Sequence, residues 1–222
     1  MSPVFCYDGA IVENSLAAYL ERIGVLKPGG VLDAFAAIDR ADFVPEELRA
    51  SAYVDEPLLI GSGQTISQPY VVAFMLNLLD PEPGEKIMDI GAGSGWQTAL
   101  LAHIVGEEGK VFALERIPEL CEFGRSNVSK YNFTKKGIVE WFCQDATKGL
   151  RQRAPFDKTI AAAALDGEIP QAWKDQLNAY GKMVVPIDAS VWLFHKQKDG
   201  TFHETEFPGF AFVPFLKDED RN

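Results

Sequence analysis

The chain has 222 residues, with 21 Lys+Arg against 32 Asp+Glu and a formal net charge of −11 at pH 7. Apolar residues make up 47% and charged residues 24%, the proportions of a folded globular chain, which exclude collagen-like, coiled-coil and disordered readings. The length predicts one large domain, or a core with an extra lobe. The acidic balance disfavours nucleic acid as partner, since that affinity is mostly cation-to-phosphate contact.

From about residue 14 to 38 apolar residues recur with helical spacing: Leu16, Tyr19, Leu20 and Ile23, then Val31, Leu32, Phe35 and Ile38 after a break at Pro28-Gly29-Gly30. The first residues lack a basic stretch followed by an apolar one, so no secretory leader is expected. No apolar run approaches the ~20 residues that span a bilayer, so no membrane partner is expected. Cys6, Cys121 and Cys143 are an odd, scattered set without a CxxC pair. That argues against a disulfide framework or a metal site and for a reducing, cytoplasmic location.

Residues 40–68 are rich in Pro, Gly and short polar residues and are expected to form an ordered loop region; so long an irregular stretch is functional or hides a misread element. Pro69 then opens a helix that runs to the stop at Asp80-Pro81-Glu82-Pro83-Gly84. Beyond it strands and helices alternate: strand 86–90, helix 96–105, strand 110–115, helix 118–131, strands 138–143 and 157–164, helix 170–177 and strand 182–187. Two β-rich stretches, 191–197 and 202–215, join at Lys198-Asp199-Gly200 and read as an antiparallel hairpin. The expected fold class is therefore α/β: a doubly wound, mostly parallel, Rossmann-like sheet with an N-terminal helical lobe and a C-terminal antiparallel hairpin. Residues 1–80 would form the lobe and an active-site loop, and 81–222 the ligand-binding core, in one continuous domain.

The first chemical signal is Asp89-Ile90-Gly91-Ala92-Gly93-Ser94-Gly95, placed between the first parallel strand and its helix. Glycines there let a ligand approach the backbone beyond the strand ends. Glu115 closes the next strand, where a carboxylate would meet ribose hydroxyls. Asp145 follows the third strand and can accept from an adenine amino group, although an Asx turn would also suit it. The glycines run GxGxG, with Trp96 where a dinucleotide fingerprint has its third glycine, and Asp89 would repel a pyrophosphate. S-adenosylmethionine, with a sulfonium, an ammonium and no phosphate, fits this acidic edge better. No Lys-Ser/Thr pair follows the glycines, and no GxSxG elbow or glycine-loop histidine supports a hydrolase.

The second signal is Gly61-Ser62-Gly63-Gln64-Thr65-Ile66-Ser67-Gln68-Pro69, in which Ser67, read locally, is a candidate helix cap. With Phe43-Val44-Pro45, Ala52-Tyr53-Val54-Asp55, Pro57-Leu58 and the glycine loop through Gln97, the GQTISQP stretch resembles the protein-L-isoaspartate O-methyltransferases, class I S-adenosylmethionine-dependent methyltransferases. The likeness runs from about residue 25 to 216. It implies that Ser67 is the active-site serine beside the methyl-transfer centre, with Thr65 and Gln68 as substrate-side neighbours. It also implies that Asp89, Gly91, Gly93, Ser94 and Gly95 hold the methionine end and ribose, Glu115 the ribose hydroxyls, and Asp145 with Ala146 the adenine. The implied acceptors are isoaspartyl-containing proteins and peptides, whose methyl ester collapses to a succinimide that partly reopens to aspartate.

The chain departs from the family pattern at Ala92, Trp96 and Ala146, the last tightening the space around an adenine. The segment 161–169, carrying Leu165-Asp166-Gly167-Glu168, falls where a substrate wall is expected and bears on acceptor preference. A methyltransferase with another acceptor, a cofactor-binding homologue without transfer, and a nicotinamide dehydrogenase are the competing readings. Intact GQTISQP opposes the second of these, and Asp89 with Trp96 opposes the third.

Overall fold

A computed structural model describes residues 16–216, together with a short antiparallel backbone pairing of β1 (Cys6–Tyr7) with β2 (Ala10–Ile11). The helix start expected near residue 14, and most of the stretch read as lacking a leader, lie outside the described residues. Helices α1 (Leu16–Arg22) and α2 (Gly30–Ala37) bury Leu16, Ala17 and Leu20, and Ala34 and Phe35, following the apolar spacing.

Residues 40–68 are more regular than their composition suggests. Two 3-10 turns, Arg40–Phe43 and Glu46–Ser51, lead to a hairpin of β3 (Leu58–Gly61) and β4 (Gln64–Ile66). Its strands are four and three residues long, and the turn takes positive φ at Gly61, Ser62 and Gly63, so the Gly/Ser-rich turn outweighs the strand signal. Helix α3 (Pro69–Leu79) follows, with Pro at its first turn and Asp80 in the left-handed region as its stop. Ser67 does not cap α3. Asp55 does, its carboxylate accepting from the Tyr70 N–H at 2.8 Å.

Among the described residues the main sheet has seven strands. They are β5 (Lys86–Ile90), β6 (Lys110–Glu115), β7 (Val139–Cys143), β8 (Phe156–Ala161), β9 (Leu177–Ile187), β10 (Ser190–Lys196) and β11 (Phe202–Pro208), in the order β11-β10-β9-β8-β5-β6-β7. Strands β9, β8, β5, β6 and β7 are parallel, while β10 and β11 add antiparallel neighbours. The hairpin is thus fused to the sheet through β9, which starts five residues earlier than its apolar run predicts. Strand β8 stops at Ala161; after it Ala162 N–H donates to Ile90 O at 2.9 Å, Leu165 bridges Ile187, and Ala164 bridges Pro214 beyond β11.

Alternate residues serve opposite faces, as the strand period requires. Ile87, Val111, Ala113 and Ile160 face the layer of α1 to α5, which includes α4 (Trp96–Val105) and α5 (Pro118–Ser129). Met88, Phe112, Leu114 and Met183 face the opposite layer with Trp173 of α6 (Gln171–Gln176). Covering both faces is why the central strands carry apolar residues on both. The chain runs outward from β5 to β7, then crosses to β8 on the other side. This reversal opens a crevice beyond the carboxyl ends of β5 and β8, the place where such sheets bind ligands. Among the described residues no helix is long and apolar enough to cross a membrane.

Candidate functional site

The crevice holds a cavity whose floor is the glycine loop, Gly91 to Ser94. Glu115, Arg116, Ile117, Leu120, Gln144 and Ala146 form one wall, and Ala162, Ala163 and residues 213–216 the other. The β3–β4 hairpin roofs it with Ile60, Gln64, Thr65, Ile66 and Ser67. A second groove adjoins, lined by Pro57, Gln68, Tyr70, Val71 and residues 209–213. Thr65, Ser67, Ala162 and Val213 line both, so Ser67 stands at their boundary.

The loop's shape is fixed by backbone bonds at its edges. Gly91 and Ala92 N–H groups donate to Leu114 O at 2.9 and 3.0 Å. The Glu115 carboxylate accepts from Gly93 N–H and Ile117 N–H, each at 2.8 Å, joining the loop to the start of α5. Burial raises the Glu115 pKa, against the pull of these backbone bonds. Asn127 of α5 donates to Ser94 O at 3.0 Å. Gly95, at φ 85, begins α4 and packs on α5: a Cβ there would meet Val128 and the Gly124 carbonyl within 2.9 Å. Gly91, Gly93 and Ser94 therefore face the cavity, whereas Gly95 lets two elements meet behind it.

Asp89 is fully buried and lies behind the loop instead of in the cavity wall. Its oxygens accept from Gln97 Nε2 at 2.7 Å and Thr98 Oγ1 at 2.6 Å, so it fixes Gln97, which does line the cavity. Burial pushes its pKa from 3.8 to about 6; the Thr98 and Gln97 bonds oppose this and the Glu115 charge adds to it. A carboxyl whose folded pKa lies above the unfolded value makes its full contribution to stability below pH ~4 and loses it as pH rises through ~6. Asp89→Asn is expected to remove that slope, on the order of 3 kcal/mol, from urea melts between pH ~4 and ~6. A variant retaining the wild-type slope would contradict the assignment.

Asp145 lies two residues past β7, and its carboxylate accepts from Thr147 N–H at 2.6 Å in an Asx turn. Its neighbours Gln144 and Ala146 face the cavity, and Ala146 O accepts from Trp173 Nε1 at 2.7 Å. The segment carrying Leu165-Asp166-Gly167-Glu168 turns away: Leu165 and Ile169 are buried under the sheet, and of this stretch only Ala162 and Ala163 reach the cavity. His103 is on α4, and His195 and His203 pair across β10 and β11, away from both cavities.

Sequence reasoning missed three supports of the site. Gly124 and Asn127 abut the loop from α5, and Arg40, buried, donates to Ser67 O at 3.0 Å. For Arg40 the available signal was a cation set among Ile38, Ala41 and Phe43, all of them apolar and buried.

The family model described as protein-L-isoaspartate(D-aspartate) O-methyltransferase matches residues 12–220. The chain is 40% identical over 208 residues to a protein-L-isoaspartate O-methyltransferase of Methanopyrus kandleri, covering 92% of this chain and 91% of the relative. It is 45% identical to that of Aeropyrum pernix over 201 residues, covering 89% and 76%. A crystal structure described as the Plasmodium falciparum protein, in complex with S-adenosyl-L-homocysteine, superposes with TM-score 0.81 at 25% identity, covering 92% and 98%.

Proposed function

Because this chain belongs to the protein-L-isoaspartate(D-aspartate) O-methyltransferase family, we propose that methyl transfer takes place at Ser67, where the glycine-loop cavity and the adjoining groove meet. The enzyme moves a methyl group from S-adenosylmethionine to the free carboxylate of L-isoaspartyl residues in damaged proteins and peptides. The observation that carries the site reading is that Thr65 and Ser67 line both spaces, as residues between a donor and an acceptor must.

The cavity chemistry suits the cofactor. Glu115 on the wall, with Asp89 close enough behind the loop to feel its charge, favours a cationic ligand, and Ile117 and Leu120 offer apolar surface to a base. Gly91, Gly93, Ser94 and Glu115 would hold the methionine end and ribose, and Ala146 with Gln144 and Asp145 the adenine. Gly95 and Asp89 act through the loop's shape and through Gln97. The bound cofactor supplies an electrophilic methyl group on sulfur.

The acceptor carboxyl, with a pKa near ~4, is already ionised at neutral pH, so no general base is needed. What the chain must do is orient one oxygen at about 3 Å from the methyl carbon and exclude water. The groove provides this with Thr65, Gln68, Tyr70 and Phe210, and among the described residues no carboxylate or histidine lines it. Ser67 donates its hydroxyl to the acceptor and makes no nucleophilic attack. Ser67→Ala is expected to lower kcat about tenfold while changing the cofactor Kd less than about twofold. Full activity in initial-rate assays would remove the role.

Residues 1–80 then form the acceptor-side lobe and 81–222 the cofactor core of one continuous domain. Free thiols at Cys121 and Cys143 and the net charge of −11 support a cytoplasmic enzyme acting on polypeptides and not on nucleic acid. Radiolabelled methyl transfer tests the whole reading. Base-labile label should enter an isoaspartyl peptide and not its normal aspartyl counterpart; label on both, or on neither, would refute it.

A further inference from the structure

Arg40 has 1% of its surface exposed and lines neither cavity. Its Nη1 donates to Ala52 O at 2.8 Å and Val54 O at 3.2 Å; its Nη2 donates to Glu56 O at 2.9 Å and Ser67 O at 3.0 Å. Four carbonyls from two segments thus converge on one planar fork. The same guanidinium lies 5.2 Å from the ring centroid of Trp96, the first residue of α4. Burial lowers its pKa to about 10, with the Asp55 charge opposing, so it remains a cation at neutral pH.

A buried cation is a poor way to fill space, because an apolar side chain of the same volume is often as stabilising or more so. What the guanidinium adds is direction: a rigid set of donors that fixes where several backbone groups stand relative to one another. Trp96 is a firm base for that fork. It is buried, meets Phe35 edge-on at 5.3 Å, and follows directly on the glycine loop. The glycine loop has its own anchors in Glu115 and Asn127, independent of Arg40. The Ser67 segment has the fork.

We propose that Arg40 is a positioning residue for methyl transfer, holding the backbone of Ser67 at a set distance from Trp96 and so aligning the acceptor side of the site with the glycine loop. The inference rests on the reading of the Ser67 segment as the acceptor boundary. A lysine keeps the charge but offers a point ammonium with three donors in place of the planar fork, and cannot hold the four carbonyls together.

The test compares wild type, Arg40→Lys, Ser67→Ala and the double variant at a temperature where melting curves show each folded. Arg40→Lys is expected to lower kcat about tenfold or more, since small misalignments are costly in transfer reactions, while the calorimetric S-adenosylmethionine Kd moves less than about threefold. Isoaspartyl peptide binding to the S-adenosylhomocysteine-loaded protein should weaken alongside kcat. Wild-type kcat in Arg40→Lys overturns the proposal. A loss of cofactor affinity matching the loss of rate also overturns it, because general destabilisation would give that. An impaired Ser67→Ala beside an unimpaired Arg40→Lys refutes positioning by Arg40 alone. A fully active Ser67→Ala beside an impaired Arg40→Lys refutes the role of the Ser67 hydroxyl and upholds the fork, which grips the backbone. Should Arg40→Lys not fold, Trp96→Leu removes the ring beside the guanidinium and leaves the carbonyl bonds; since Trp96 also lines the cavity, kcat is read at saturating S-adenosylmethionine. A drop in kcat of about threefold at saturating cofactor then supports the proposal, and a wild-type kcat overturns it.

Discussion

Glu115→Ala is expected to raise the calorimetric Kd for S-adenosylmethionine by about 100-fold. The Glu115 carboxylate accepts from Gly93 N–H on the loop side and Ile117 N–H on the helix side, so it is a strut across the cavity as well as a charge in its wall. Removing it leaves both backbone donors without that acceptor, at about 1–3 kcal/mol for each one that finds no water. It also removes the nearest negative charge to a cationic ligand. Glu115→Gln separates the two effects: one amide oxygen can still serve one N–H, while the amide nitrogen confronts the other. An intermediate loss of about tenfold is expected there. Unchanged affinity in Glu115→Ala would show that the loop holds its shape and its ligand without the strut.

The second large effect is expected at Gly124, in the middle of α5. A glycine inside a helix is ordinarily improved by alanine, by about 1 kcal/mol of backbone propensity. Here a Cβ would lie 2.5 Å from Gly93 O and 2.7 Å from Trp141 Cη2, distances at which something must shift. Overpacking of that kind costs about 1–3 kcal/mol, and the neighbour is backbone of the cofactor loop, which yields less readily than a flexible side chain. Gly124→Ala should therefore melt about 5 °C lower than wild type and bind S-adenosylmethionine about tenfold more weakly. A variant that melts higher, as an unhindered helical Gly→Ala does, would show that the loop gives way freely.

Both predictions concern contacts between segments distant in the chain, and that separates what could be read from the sequence from what could not. Strand 86–90, helix 96–105 and strand 110–115 match the structure residue for residue. There the apolar runs end at Gly84, Gly91, Gly95, Gly106 and Gly109, so the punctuation coincides with the elements. The β3–β4 hairpin was hidden because its strands are only four and three residues long around a Gly-Ser-Gly turn, too short to show an alternating pattern. The line of acidic residues at the strand tips was legible as residue types. Which of them faces the cavity was not: Asp89 pairs with Ala113, so it shares a sheet face with Glu115, and Glu115 reaches the cavity because it stands two residues further toward the carboxyl end. Asp145 illustrates a third limit, since a carboxylate serving an Asx turn and one awaiting a ligand have the same sequence. Arg40 illustrates a fourth: its apolar neighbours Ile38, Ala41 and Phe43 point to burial, but the four carbonyls it gathers come from residues 12 to 27 positions away.

Residues 213–216 close the cavity by returning across the sheet, where Ala164 N–H donates to Val213 O at 2.9 Å and Phe215 N–H to Ala164 O at 2.7 Å. The Phe215 ring rests edge-on against Trp173 at 5.6 Å. This wall is the last part of the site to be synthesised, well after the glycine loop and the Ser67 hairpin have left the ribosome. A chain lacking residues 213–216 would carry the glycine loop and the Ser67 hairpin yet only an open trough, so cofactor retention depends on a segment far from both in the chain. By the same logic, a protease cutting within residues 209–212 would leave the sheet and the motifs intact while freeing one wall of the binding site.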